Sequence, residues 1–161
     1  MSNLKSTIMG AGLIVFSVLN AASAFAQSSD GDVEEALNLV LEESKTCHAT
    51  DLDSTNLNFE SAISSCQMSV AGLVTIASAG GEDLGLETLY LLSDTAGTSS
   101  MMWAAIELKK SGTVNSAVCQ PVGMAISLYD LLETSAAAKS KEGSGANTLA
   151  GMCKDAGISI N

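Results

Sequence analysis

Four cysteines, Cys47, Cys66, Cys119 and Cys153, and a single histidine, His48, carry the strongest intrinsic chemistry in this chain. The cysteines are spaced 19, 53 and 34 residues apart. None forms a C-x-x-C pair, so the spacing suits neither a zinc ribbon nor a thioredoxin-type redox motif. A haem-attachment C-x-x-C-H would need cysteine at position 44, which is Ser44. One histidine is too few for an ordinary His/Cys metal site, and His48 is expected as a loop residue at a helix end. In an exported chain an even cysteine count reads as a disulfide set, with three pairings open.

The carboxylates are numerous but poorly arranged for catalysis. Asp51-x-Asp53-x-Thr55 resembles the opening of a calcium loop. The sixth position is Asn56 instead of the glycine needed for the sharp turn, and the twelfth is Ala62 instead of a bidentate Glu. Glu34/Glu35 and Glu42/Glu43 read as exposed helix faces more readily than as an acid/base pair. Gly143-Ser144-Gly145 is an incomplete nucleophile elbow with no strand before it. No glycine-rich phosphate loop follows a strand either. With one His, no Arg and no free thiol expected, neither enzymatic activity nor a cofactor or metal is expected.

The elements that must position these residues read as helices. Asp32 with Glu35 suggests a capped start, and Val33, Ala36, Leu37, Val40, Leu41 and Cys47 keep helical spacing. Residues 49–58 are polar and turn-rich, hence a loop. Asn58 caps a second helix, whose stripe is Phe59, Ala62, Ile63, Cys66, Val70, Leu73, Val74 and Ala77. Ser61, Ser64, Ser65 and Thr75 fall on its opposite face, too many hydroxyls for a membrane span. Gly80-Gly81 ends it. A short helix around Leu84–Leu92 and a loop at 93–100 are expected next. A helix at 101–110 then follows, capped by Ser99 or Ser100 and stopped by Gly112. Trp103 within it suits core or half-core packing. Cys119-Gln120-Pro121 opens a further helix with proline in its first turn; Val122, Ala125, Leu128, Tyr129, Leu131 and Leu132 line its face. Residues 140–145 break it, and a last helix carries Ala146, Leu149, Met152 and Cys153. Strand signals are nearly absent. The fold class expected is all-α: an irregular bundle of five or six helices stapled by two disulfides. Loops 49–58 and 93–100 are its expected recognition segments, since loops on a rigid scaffold carry function.

The N-terminus places the chain outside the cytoplasm. Lys5 precedes an uncharged apolar run from Ile8 to Leu19, and Ala24-Phe25-Ala26 is the small-x-small site a signal peptidase requires. Residues 1–26 are therefore expected to be a cleavable signal peptide, leaving 27–161 as one helical domain in the periplasm. Loss of Lys5 leaves six lysines against 18 acids, a formal charge of −12. A chain so acidic and lacking arginine is not expected to bind nucleic acid, or a membrane after signal cleavage. The charge serves solubility and would attract a basic partner.

The order of these features resembles a known family. A helix ends in Cys47, Cys66 lies early in an apolar helix, Cys119-Gln120-Pro121 forms a C-x-P element, and a helical pair closes on Cys153. This is similar to the Rap/Tai group of immunity proteins, which neutralise type VI secretion amidase effectors. Gly72 stands for the second glycine of that family's C-x-G-Y-x-x-G element, with Met68 and Ser69 in place of Gly-Tyr. The resemblance covers most of 33–153 by spacing and carries over the four cysteines and Pro121. It implies a periplasmic disulfide-stapled helical protein, a homodimer, and a peptidoglycan amidase effector as the partner whose active site is occluded. On this resemblance Cys119 is expected to pair with Cys153, and Cys47 with Cys66. Asp51, Asp53, Asn56 and Asn58, in the acidic loop, are then the expected contact residues. The alternative is a stand-alone periplasmic module of the same fold, structural or stress-related, with no toxin partner.

Overall fold

The computed structural model describes residues 30–80, 84–132 and 135–160. The expected signal peptide, with cleavage after Ala26, lies outside the described residues, as does Gly81. Among the described residues there are six α-helices and no strand: α1 Asp30–His48, α2 Phe59–Gly80, α3 Gly85–Ser111, α4 Ser116–Leu132, α5 Ser135–Ser144 and α6 Ala146–Asp155. α3 runs between α2 and α4. α1 packs mainly on α2, and α5 and α6 lie against α4. The chain is all-α, with both staples formed between the expected partners, Cys47–Cys66 and Cys119–Cys153. All four cysteines are paired, which fits an oxidising compartment outside the cytoplasm.

The periodic stripe of α2 does what its spacing predicts. Ile63, Cys66, Val70 and Leu73 are all buried, and Asn58 caps the helix by accepting the Ser61 N–H at 3.1 Å. Ser65, expected on the solvent face, is buried as well. By length and composition α2 is the one described helix that could cross a membrane, with a mean hydropathy of 1.2 over Phe59–Ser78. Its packing is that of a core helix, flanked by α1 and α3 and tied to α1 through Cys66.

The main departure from the sequence reading is α3. Residues 93–100 are not a loop, and Ser99 and Ser100 cap nothing: they lie inside a 27-residue helix and are fully buried. Ser, Thr and Gly disfavour a helix because their hydroxyls compete for the backbone or their chain entropy is high. Here those hydroxyls have partners. Thr98 Oγ1 donates to the Asp94 carbonyl at 3.0 Å and Ser100 Oγ to the Ala96 carbonyl at 2.9 Å. Small side chains also let neighbours approach. A Cβ on Gly97 would stand 2.8 Å from the Tyr129 ring of α4, closer than carbon atoms pack. Packing on several sides thus overrides weak propensity.

Three boundaries also shift. α1 is helical from Asp30 among the described residues, so Asp32 lies within the helix and is not its cap. α4 begins at Ser116, which puts Pro121 at its sixth position instead of its first turn. The start is set by Asn115, whose Oδ1 accepts the Val118 N–H at 3.2 Å and whose carbonyl accepts the Cys119 N–H at 2.9 Å. Residues 140–144 do not break the chain; they complete α5. The turn is Gly145 alone, at φ 76°, a left-handed conformation that glycine adopts without Cβ strain.

Cys119–Cys153 closes 34 residues that include α5, a helix with no fully buried apolar side chain in its described part. Replacing both cysteines by alanine is expected to lower unfolding stability by about 3–4 kcal/mol. Urea unfolding of the oxidised chain and the double variant measures this.

Candidate functional site

Loop 49–58 is the best-built surface feature among the described residues. Its base is closed by Cys47–Cys66, whose Cα atoms lie 4.8 Å apart. Leu52 turns inward and packs with Cys47, Ile63, Cys66 and Ile106, together with Phe59 and Trp103. Trp103 is half-buried, as its type suggests, and its Nε1–H points to Glu107 Oε1 at 3.4 Å. The backbone is held by successive local bonds. Thr50 N–H donates to the Cys47 carbonyl at 3.2 Å, Ser54 N–H to the Asp51 carbonyl at 3.2 Å, and Ala62 N–H to the Asn58 carbonyl at 3.0 Å.

The four expected contact residues all sit on this loop with exposed side chains. Two of them also shape it. Asp51 Oδ1 accepts the Asp53 N–H at 2.9 Å, an Asx turn, and Asn58 Oδ1 caps α2. Asn56 gives its N–H to Ser54 Oγ at 3.3 Å. Asp53 and Asn56 therefore present side chains outward from a fixed backbone. No group of three His, Cys, Asp or Glu residues among the described residues is placed to hold a metal ion. Glu42 and Glu60 are exposed acids on the flanking helices, and Lys45, ion-paired to Glu42, is the one base close by in the chain. The loop and its surround are thus net negative.

The second expected recognition segment, 93–100, is interior. What it builds there was not legible in the sequence. His48, the last residue of α1, is half-buried, and its Nε2 lies 3.0 Å from Ser99 Oγ of α3. Ser99 Oγ is in turn 2.8 Å from Ser69 Oγ of α2. Three helices thus meet on one chain of polar atoms directly behind the loop. Burial pushes the His48 imidazole below its ordinary pKa, and the negative charge of Asp94 works in the opposite direction. A serine beside a histidine is also the start of a nucleophile-base pair. Ser69 and Ser99 are completely buried, and the backbone N–H groups around them are engaged in helices, so nothing is open there to receive a substrate or an oxyanion.

No protein family, curated protein or solved structure matches the chain. The likeness to the Rap/Tai group accordingly rests on the spacing of the four cysteines and Pro121.

Ser99→Ala would remove the hydroxyl that both His48 and Ser69 face, leaving a fully buried Ser69 hydroxyl without that partner. A destabilisation of about 1–3 kcal/mol is expected. Ser61→Ala, on the exposed start of α2, is the control and should change stability by less than about 0.5 kcal/mol; urea unfolding of both variants checks the pair.

Proposed function

We propose that this chain is an exported, immunity-type binding protein that neutralises a type VI secretion peptidoglycan amidase by covering its active site with the acidic loop 49–58. The observation that carries the binding role is the loop itself: disulfide-closed, anchored by Leu52, and carrying exposed Asp51, Asp53, Asn56 and Asn58. A loop fixed before binding loses little conformational entropy on association. Its negative charge steers it to a basic surface and disfavours neutral or acidic ones. The amidase as partner, and the periplasm as the place of action, come from the resemblance and the signal-peptide pattern. The protein on this reading is not an enzyme and takes no cofactor.

A second reading has one feature in its favour. A half-buried imidazole that joins three helices through two buried serines is not needed to occlude a partner. It suits a stand-alone periplasmic module with a structural or envelope-stress role.

The two readings separate in one experiment. Residues 27–161 are titrated calorimetrically with a type VI secretion peptidoglycan amidase taken from the same genome, and co-expression is scored for protection from it. The immunity reading expects submicromolar binding and protection. It expects Asp53→Lys combined with Asn56→Lys, at the two side chains that point outward without holding the loop, to weaken binding at least tenfold while leaving the melting temperature unchanged. Absence of both binding and protection overturns it in favour of the stand-alone module.

A further inference from the structure

We propose that the His48–Ser99–Ser69 chain is an acid-sensitive latch that holds the carboxyl end of α1 and the base of loop 49–58 against α3, and releases them when His48 takes up a proton. The latch is a property of the fold and does not require the amidase partner.

The case begins with the hydrogens. A neutral imidazole can accept at Nε2. The chain then runs from the Ser69 hydroxyl to Ser99 Oγ and from the Ser99 hydroxyl to His48, with both hydroxyl hydrogens placed over distances of 2.8 and 3.0 Å. A protonated imidazole can only donate. Ser99 Oγ must then accept from His48 and give its own hydrogen to another acceptor, while it can still accept from the Ser69 hydroxyl, which is 0% exposed. Protonation reverses the bond between His48 and Ser99, displaces the Ser99 hydrogen inside a fully buried site, and places a cation on a half-buried ring.

The surroundings do little to hold that cation. On α1, Lys45 is exposed and paired with Glu42. On α2, the one titratable group is Glu60, exposed in the first turn. On α3, Asp94 is the group whose charge reaches His48, while Glu107 is engaged by Trp103. In the loop, Asp51 and Asp53 are exposed. The negative end of α1 and Asp94 favour the cation; burial opposes it and is the larger effect. Stability from a group held neutral in this way is full above its unfolded value of about 6.5 and is lost as pH falls through the lower folded value.

The consequence is local because of the staple. Cys47, adjacent to His48, is bonded to Cys66, so α1 stays on α2 when the latch opens. What loosens is the seam to α3, where Leu52 of the loop packs beside Ile106. The clusters around Val118, Val122, Ala125 and Tyr129 are separate from the one that holds Leu52 and Ile106.

Hydrogen exchange and His ring shifts read by NMR on residues 27–161, from pH 8 to pH 4.5, test this. His48 is expected to titrate below 6.5. Loop 50–58 amides should exchange at least tenfold faster through that titration, after correction for intrinsic pH dependence, while α4 and α6 amides stay protected. In His48→Gln the loop rates should not depend on pH. Titration of His48 at or above 6.5, loop protection unchanged across it, or the same pH response in His48→Gln would overturn the latch.

Discussion

The bond between Cys47 and Cys66 holds the end of α1 against the early turns of α2, and much of the structure's surface character depends on it. It closes the loop that joins the two helices. It brings Leu52, Phe59 and Trp103 together over a shared apolar cluster. It also places His48, the next residue, where its ring can reach Ser99 on α3. Without that tie, a polar segment from Ala49 to Asn58 would have two half-buried leucines, Leu52 and Leu57, and a few local hydrogen bonds to set against its chain entropy.

The helix that this corner rests on is unusual for its composition. α3 carries Ser93, Thr95, Gly97, Thr98, Ser99 and Ser100 in close succession, yet is helical throughout and buried on several sides. Short-range rules assign such a stretch to a loop, because each residue in isolation prefers turns and caps. The outcome is decided by partners far away in sequence: Tyr129 against Gly97, Ser69 and His48 against Ser99. Those contacts are invisible until the helices are placed. The same holds for Leu52, which reads as an ordinary loop residue and acts as the loop's anchor.

What was legible had a local cause. α2 shows its apolar stripe and its Asn58 cap directly. Gly112 stops α3 in the left-handed conformation, as its position after Lys109-Lys110 suggests. The all-α class and loop 49–58 follow from periodicity and turn composition. Boundaries failed where one local signal was read alone: Pro121 suggests the first turn of α4, which Asn115 in fact starts. The candidate contact residues were legible as an acidic, Asn-rich loop; that two of them also fold the loop was not. The disulfide pairing followed a family resemblance, and the folded chain forms the same pairs.

The central claim is that loop 49–58 is a platform fixed in advance of any partner. Backbone order parameters of residues 49–58 in the oxidised chain at neutral pH, measured by nitrogen-15 relaxation, address it most directly. A pre-organised loop gives values close to those of the flanking helices, about 0.85, whereas values below about 0.6 across the loop would contradict the account.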